Sequence, residues 1–312
     1  MKFYTDLVIK LLFLFSMMPF LLSEKIYDKF DFRLNINVVD TLFTAPMVLG
    51  TLDNNLINEA SGLVSSQTHP FLLYTHNDSG GDPDIYLLDT LGRYQGKIHL
   101  EGIKNKDWED IAVGPGTDPN VSYVYVGDIG DNTSKRDKVQ IYRFPEPSTI
   151  EKEMRVRAET FTLVYPDGPR DAETLMVDPW SGDLFVLSKR DTSNTLYRAP
   201  ADQLEKGEVV MEKIMKLPIT MAVAGDISAD GKHILIKNYW VVYYWQRGEG
   251  ESLAEALSRK PIQLPYKPEP QGEAIGFSAN GDRYFTLSES RFRIKPVLYQ
   301  YLNLLFDPEL AE

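Results

Sequence analysis

The chain has 312 residues, with 33 basic and 45 acidic side chains, a net charge of −12 and no cysteine. The absence of cysteine excludes a disulfide framework, thiolate metal sites and a thiol nucleophile. The acidic balance disfavours nucleic acid and anionic membrane surfaces, which require a basic footprint, and the length suffices to bury a core without covalent staples.

At the N-terminus, Lys2 and Lys10 flank the start of an apolar run over residues 11–22, which Ser23-Glu24-Lys25 ends. A run of 12 residues is too short to span a bilayer as a helix. It reads as an export signal over residues 1–23, cleaved near Ser23 to release a soluble domain over residues 24–312. Leu21 and Ser23 stand where two small residues are preferred, which leaves an uncleaved anchor as the alternative. The expected product is periplasmic or extracellular, monomeric and without stable membrane insertion.

Residues 35–52 are apolar and β-rich, and they precede a repeat that sets the architecture. Each copy begins with an acidic residue and a short apolar strand: Glu59-Ala60-Ser61-Gly62-Leu63, Glu109-Asp110-Ile111-Ala112-Val113, Glu173-Thr174-Leu175-Met176-Val177, Asp226-Ile227-Ser228 and Glu273-Ala274-Ile275-Gly276-Phe277. The intervals are 50, 64, 53 and 47 residues. A second strand of aromatic and β-branched residues follows each start, and a third carries a tyrosine: Tyr86, Tyr142, Tyr197, Tyr243 and Tyr299. Fourth strands follow in the first four copies only.

Four antiparallel strands at a period near 50 residues predict an all-β protein, a single β-propeller of five four-stranded blades. The last blade lacks a fourth strand, so residues 35–52 are expected to supply it and close the ring. A sixth blade would require residues 25–58 to form nearly a whole blade. Helix is sparse: Ser252 and Glu255 have capping-box spacing ahead of a short Leu/Ala face, and a turn is expected at residues 201–206. Both read as surface decoration.

The first strand of each propeller blade lines the central channel, so Glu59, Glu109, Glu173, Asp226 and Glu273 are expected to converge on one face. Five such carboxylates repel one another, and burial penalises their charged forms further. The ends of the second strands add His76, Asn77, Asp78, Asp128, Asp131, Asn132, Lys189, Arg190, Lys237 and Glu289. Lys189, Arg190 and Lys237 would neutralise the ring directly. Alternatively, Asp128, Asp131 and Asn132 would join Glu109 around a hard cation such as Ca²⁺, which takes six to eight oxygens. The purely architectural alternative has each carboxylate accept backbone N–H groups of a neighbouring blade.

Glu109, Asp171, Glu173 and His76 are the candidate catalytic residues, and His76 serves equally as a satisfied structural histidine. Arg170 beside Asp171 and Glu173 would either grip an anionic group or pair within its blade. Trp108 would either stack on a sugar or pack between blades. Phosphate-cradling glycine loops, nucleophile elbows and paired-histidine zinc motifs are absent from the sequence. Two functions stay open: a propeller binding a cation and a small molecule or glycan, and a metal-assisted hydrolase or lyase acting on phosphoester or glycosidic bonds.

The strings Glu59-Ala60-Ser61-Gly62-Leu63, Thr75-His76-Asn77-Asp78-Ser79-Gly80, Asp107-Trp108-Glu109-Asp110-Ile111-Ala112, Gly127-Asp128-Ile129-Gly130-Asp131-Asn132, Asp167-Gly168-Pro169-Arg170-Asp171-Ala172-Glu173-Thr174 and Pro270-Gln271-Gly272-Glu273-Ala274 resemble those of exported bacterial propeller proteins of unassigned function. More distantly, the alternation of its strand starts resembles the SdiA-regulated and phytase-like esterase propellers. The latter likeness implies Ca²⁺ and phosphate-ester chemistry at Glu109, Asp128 and Asp131. The chain departs from that group in lacking an obvious cluster of basic residues for a polyphosphorylated substrate.

Overall fold

A computed structural model describes residues 38–52, 54–291 and 294–306. The expected export signal lies outside them. The chain lays down β1 (Met47–Thr51) and then blade I: β2 (Ala60–Ser65), β3 (Leu72–Asn77), β4 (Asp84–Asp89) and β5 (Tyr94–Leu100). Blade II consists of β6 (Trp108–Pro115), β7 (Ser122–Asp128), β8 (Val139–Pro145) and, after the short β9 (Glu153–Val156), β10 (Glu159–Val164). Blade III follows as β11 (Ala172–Val177), β12 (Leu184–Ser188) and β13 (Thr195–Ala199). A one-turn helix α1 (Ala201–Leu204) and β14 (Glu208–Val210) then lead to its outer strand β15 (Glu212–Lys216).

Blade IV runs through β16 (Ala224–Ile227), β17 (His233–Lys237), β18 (Val242–Gln246), helix α2 (Leu253–Ser258) and β19 (Ile262–Leu264). Blade V has β20 (Ala274–Phe277), β21 (Arg283–Leu287) and β22 (Val297–Leu302), and β1 completes it by pairing antiparallel with β22, Met47 opposite Gln300. The protein is therefore a five-bladed β-propeller closed by its N-terminal strand, as the repeat predicted. No described helix is long and apolar enough to cross a membrane.

The inner blade strands are buried on both faces, which explains why β12 reads Leu184-Phe185-Val186-Leu187 without alternation. The apolar side chains form one cluster per seam between blades; Tyr125 and Ile141 of blade II, for example, meet Leu175, Val186 and Tyr197 of blade III. At the axis, side chains link the inner strands. Asp110 Oδ1 accepts Ile111 N (2.9 Å), and its Oδ2 accepts Leu175 N (2.9 Å) and Gly225 N (3.4 Å), tying blades II, III and IV. Asp226 accepts its neighbour Ile227 N and, across to blade V, Phe277 N at 2.7 Å. Ser61 Oγ donates to Glu109 O (2.5 Å) and Ser65 Oγ to Phe277 O (2.6 Å), joining blade I to its two neighbours.

The connections from third to fourth strand cover the seams. β9 pairs parallel with β5 over the I–II seam, and β14 pairs parallel with β10 over the II–III seam. Helix α2 has the capping box expected at Ser252 and Glu255, but it is no decoration. Leu253, Ala256 and Leu257 are buried with Phe185, Leu196 and Leu217 in the III–IV seam, because their apolar face has no other partner. Val38 bridges Gln263 of β19 over the IV–V seam. Blade I makes the same connection by a tight turn, Asp89 N to Arg93 O, so the V–I seam has no such cover among the described residues.

Deleting residues 38–52 strips β22 of its partner and leaves an open edge. The expected product is aggregated, without a cooperative melt by circular dichroism; a soluble, cooperatively melting deletion would refute closure by β1.

Candidate functional site

Two β-bulges build the site. The β6–β7 register shifts between Trp108 and Asp110, and the β11–β12 register between Ala172 and Thr174, so Glu109 and Glu173 are the extra residues and their side chains are re-aimed. Each stands two residues after an aspartate, Asp107 or Asp171, on the same side of an extended chain. Carboxylate oxygens of Asp78, Asp107 and Glu109 lie within 4.8 Å of one another, as do those of Glu109, Asp171 and Glu173, so Glu109 belongs to two triads. A Cβ at residue 130 would overlap Glu109 Oε1 and come within 2.5 Å of Asp107 Oδ2, so Gly130 lets both carboxylates sit where they do.

The triads differ in what balances them. In the second, Lys189 Nζ bonds Glu173 Oε1 and Arg190 Nε sits 2.5 Å from Asp171 Oδ2, whose Oδ1 accepts Asp131 N at 2.9 Å. Lys189 Nζ is also 3.9 Å from Glu273 and 3.0 Å from the hydroxyl of Tyr239, which donates to Glu273. In the first triad none of Asp78, Asp107 and Glu109 has an ion pair with a described residue. Glu109 is 4% exposed, and its carboxylate has no hydrogen-bond donor among the described residues; Glu173 Oε2 is likewise buried and unpartnered.

Burial, followed by the charges of Glu173 and Asp78, pushes Glu109 well above the carboxylate range. Burial does the same to Glu173, against the pull of Lys189. Asp78 is pushed up to about 6 by burial and by Glu273 and Asp107, and burial raises Asp107. The face thus holds more carboxylates than its own cations neutralise.

Several residues picked out in the sequence belong to neither triad. Asp226 is the third residue of β16, not the residue opening the strand, and its carboxylate serves the inter-blade bonds described above. Asp128 pairs with Arg136 (2.6 Å) and accepts Tyr142 (3.3 Å), and Asp131 Oδ2 accepts Arg136 N (2.6 Å), so both brace the β7–β8 loop. Asn132, exposed, accepts Arg190. Arg170 pairs with Asp167 (2.9 Å) and Asp191 (3.4 Å), away from Asp171 and Glu173.

Trp108 is fully buried, with the His76 ring edge-on at 5.6 Å; it is a core residue, not a stacking platform. Burial holds His76 down to about 4, so it is neutral. Asn77 ties Glu59 N (3.2 Å) to Leu56 O (2.7 Å), with Glu59 half-buried beside it. Lys237 is wholly buried and donates to Gly272 O; burial lowers it to about 8. Glu289 pairs with Arg291 at 2.6 Å. Asp107, Gly130 and Tyr239 were not singled out from sequence, although the doubled Asp-x-Glu of blades II and III, Asp107 to Glu109 and Asp171 to Glu173, was there to be read.

No family model matches the chain, and no curated protein matches it. Among solved structures it is similar to the PQQ-bound form of aldose sugar dehydrogenase from Streptomyces coelicolor, at 13% identity and a TM-score of 0.47, over 83% of this chain and 98% of that chain. The likeness to SdiA-regulated and phytase-like propellers therefore rests on the motifs alone.

Burial raises Asp226 to about 7 and, with Glu273, Glu289 to about 8. From the ordinary carboxylate range up to these values the unfolded chain has both carboxylates ionised while the folded chain still holds protons on them, and above about pH 8 both states are ionised. Their contribution to stability is therefore lost as pH rises through that range. In chelator, the thermal midpoint is expected to fall across this window, and less steeply in Asp226→Asn. A flat or rising wild-type profile would contradict the assigned burial.

Proposed function

We propose that this exported propeller binds a divalent cation, Ca²⁺ in the first instance, at Asp78, Asp107 and Glu109, and uses it to hold a small molecule or glycan on the acidic face. The observation that carries the reading is Glu109, buried, without a donor and shared by two carboxylate triads. The first triad is the cation's place because Lys189 and Arg190 already balance the second. Three carboxylates fill only part of the shell of a hard cation, which leaves positions for water and ligand oxygens. Asp128, Asp131 and Asn132 act here by bracing the loop that carries Gly130.

Thermal unfolding of chelator-treated protein tests this. A cation bound only by the folded state at a hundredfold excess over Kd stabilises by about 2.7 kcal/mol, and the midpoint should climb with Ca²⁺ concentration. Glu109→Gln and Asp107→Asn should remain folded and abolish the climb, and their metal-free midpoints should equal or exceed that of wild type, since like-charge repulsion is relieved. If Ca²⁺, Mg²⁺ and Mn²⁺ all leave the wild-type melt unchanged, the cation reading is wrong.

A second reading, metal-assisted hydrolysis or lysis of a phosphoester or glycosidic bond, is favoured by Glu173. Its Oε2 is unpartnered, its acidity is suppressed by burial, and it stands across Glu109 from the proposed cation, a placement suited to moving a proton. Turnover of phosphoester or oligosaccharide substrates that needs Ca²⁺ and falls by about 10²-fold or more in Glu173→Gln would establish it. Ca²⁺ binding without turnover leaves the protein a binding propeller.

A further inference from the structure

A cavity of about 700 Å³ opens beside the first triad, between blades I and II. Asp107 and Ser79 line it on the side of the triad, Lys106 stands on the I–II connection, and the β7–β8 loop contributes Lys135, Arg136 and Lys138. Four basic residues line the cavity against three aspartates, Asp107, Asp131 and Asp137, a small positive excess in a chain of net charge −12. The basic residues divide into two kinds. Arg136 is fixed, with Nη2 2.6 Å from Asp128 Oδ1 and Nη1 donating to Gly130 O at 2.7 Å, and Lys138 pairs with Glu208. Lys106 and Lys135 are exposed and have no ion-pair partner among the described residues.

We propose that this cavity binds a small molecule through a phosphate or carboxylate group that bridges the cation at Asp107 and the ammonium groups of Lys106 and Lys135. The proposal rests on the cation reading above. A divalent ion on three carboxylates leaves open coordination positions, and two lysines without an ion pair among the described residues stand in the same lining; an oxyanion satisfies both. The volume lies within the range of small-molecule sites and is far larger than one inorganic ion requires, so the oxyanion belongs to a larger molecule. Arg136 holds the wall in place through its bonds to Asp128 and Gly130, and Gly130 is the residue that admits Glu109 and Asp107, so the cation's bed and the basic wall are parts of one braced loop.

Calorimetric titration with glucose 6-phosphate, gluconate and glucose, each with and without millimolar Ca²⁺, tests the proposal on the full protein. With Ca²⁺ present, glucose 6-phosphate, gluconate or both should bind and glucose should not; whichever anion binds more tightly identifies phosphate or carboxylate as the group recognised. The double variant Lys106→Gln, Lys135→Gln should weaken that binding by about tenfold or more per lysine while leaving the Ca²⁺-induced rise in melting midpoint unchanged. If Ca²⁺ raises the midpoint but neither anion binds, or if the double variant binds as wild type does, the cavity is not an oxyanion site and the cation reading stands. If an anion binds without any effect of Ca²⁺ and the double variant loses it, the cavity is confirmed and the cation reading fails.

Discussion

Inner strands that meet around a propeller axis have main-chain donors facing the channel and no strand there to receive them. A buried donor without an acceptor costs about as much as a lost hydrogen bond, on the order of 1–3 kcal/mol. Here Asp110 and Asp226 supply the acceptors from inside the strands, and Asp110 alone reaches the N–H groups of three blades. The cost is a pair of carboxyl groups without solvent, both pushed upward by burial. Everything at the acidic end of the channel is built on strands aligned by this arrangement, including the two bulges that turn Glu109 and Glu173 outward.

The acidic face follows a different economy. Its carboxylates face one another, although Asp171 Oδ1 also accepts Asp131 N. Lys189, buried between Glu173, Glu273 and Tyr239, is the internal counter-ion for half of the face. Among the described residues none forms an ion pair with Asp78, Asp107 or Glu109, and proton uptake or a bound cation is what remains to balance them. One lysine thus divides a ring of like charges into a closed half and an open half.

The fold was legible because a propeller repeats: five acidic starts with tyrosine-bearing third strands gave the blade count, and the missing last strand pointed to the N-terminal closure. The site was legible only in part. Glu109 and Glu173 came from the repeat, but Asp226 was aligned with them on chemistry although blade IV has no bulge and its strand begins two residues earlier. His76 and Trp108 are polar-capable residues adjacent to the face in sequence, and the strand pleat buries both. Tyr239 belongs to a loop after β17 whose course depends on contacts with blade III, and pairwise contacts between blades leave no periodic trace. Helix α2 read as decoration because an amphipathic turn does not declare which seam will bury it.

The seams of the ring are covered unevenly. The I–II and II–III seams are bound at their outer edges by β9 and β14, α2 fills the III–IV seam, and Val38 reaches across IV–V; the V–I seam relies on inner bonds such as Ser61 to Glu273 and Ser65 to Phe277. On the outside of that seam, among the described residues, only the β4–β5 turn meets β1, with Leu91 O against Gly50 and Gly92 against Leu52 and Leu298. Asp78, Asp107 and Glu109 straddle the I–II seam, which in ring order is next to the V–I seam, and Glu109, Asp171 and Glu173 straddle the II–III seam one blade further on. Blade I therefore carries Asp78 between the least covered seam and the seam that holds the first triad, so the closure of the ring by β1 and the geometry of the carboxylates that share Glu109 depend on the same blade.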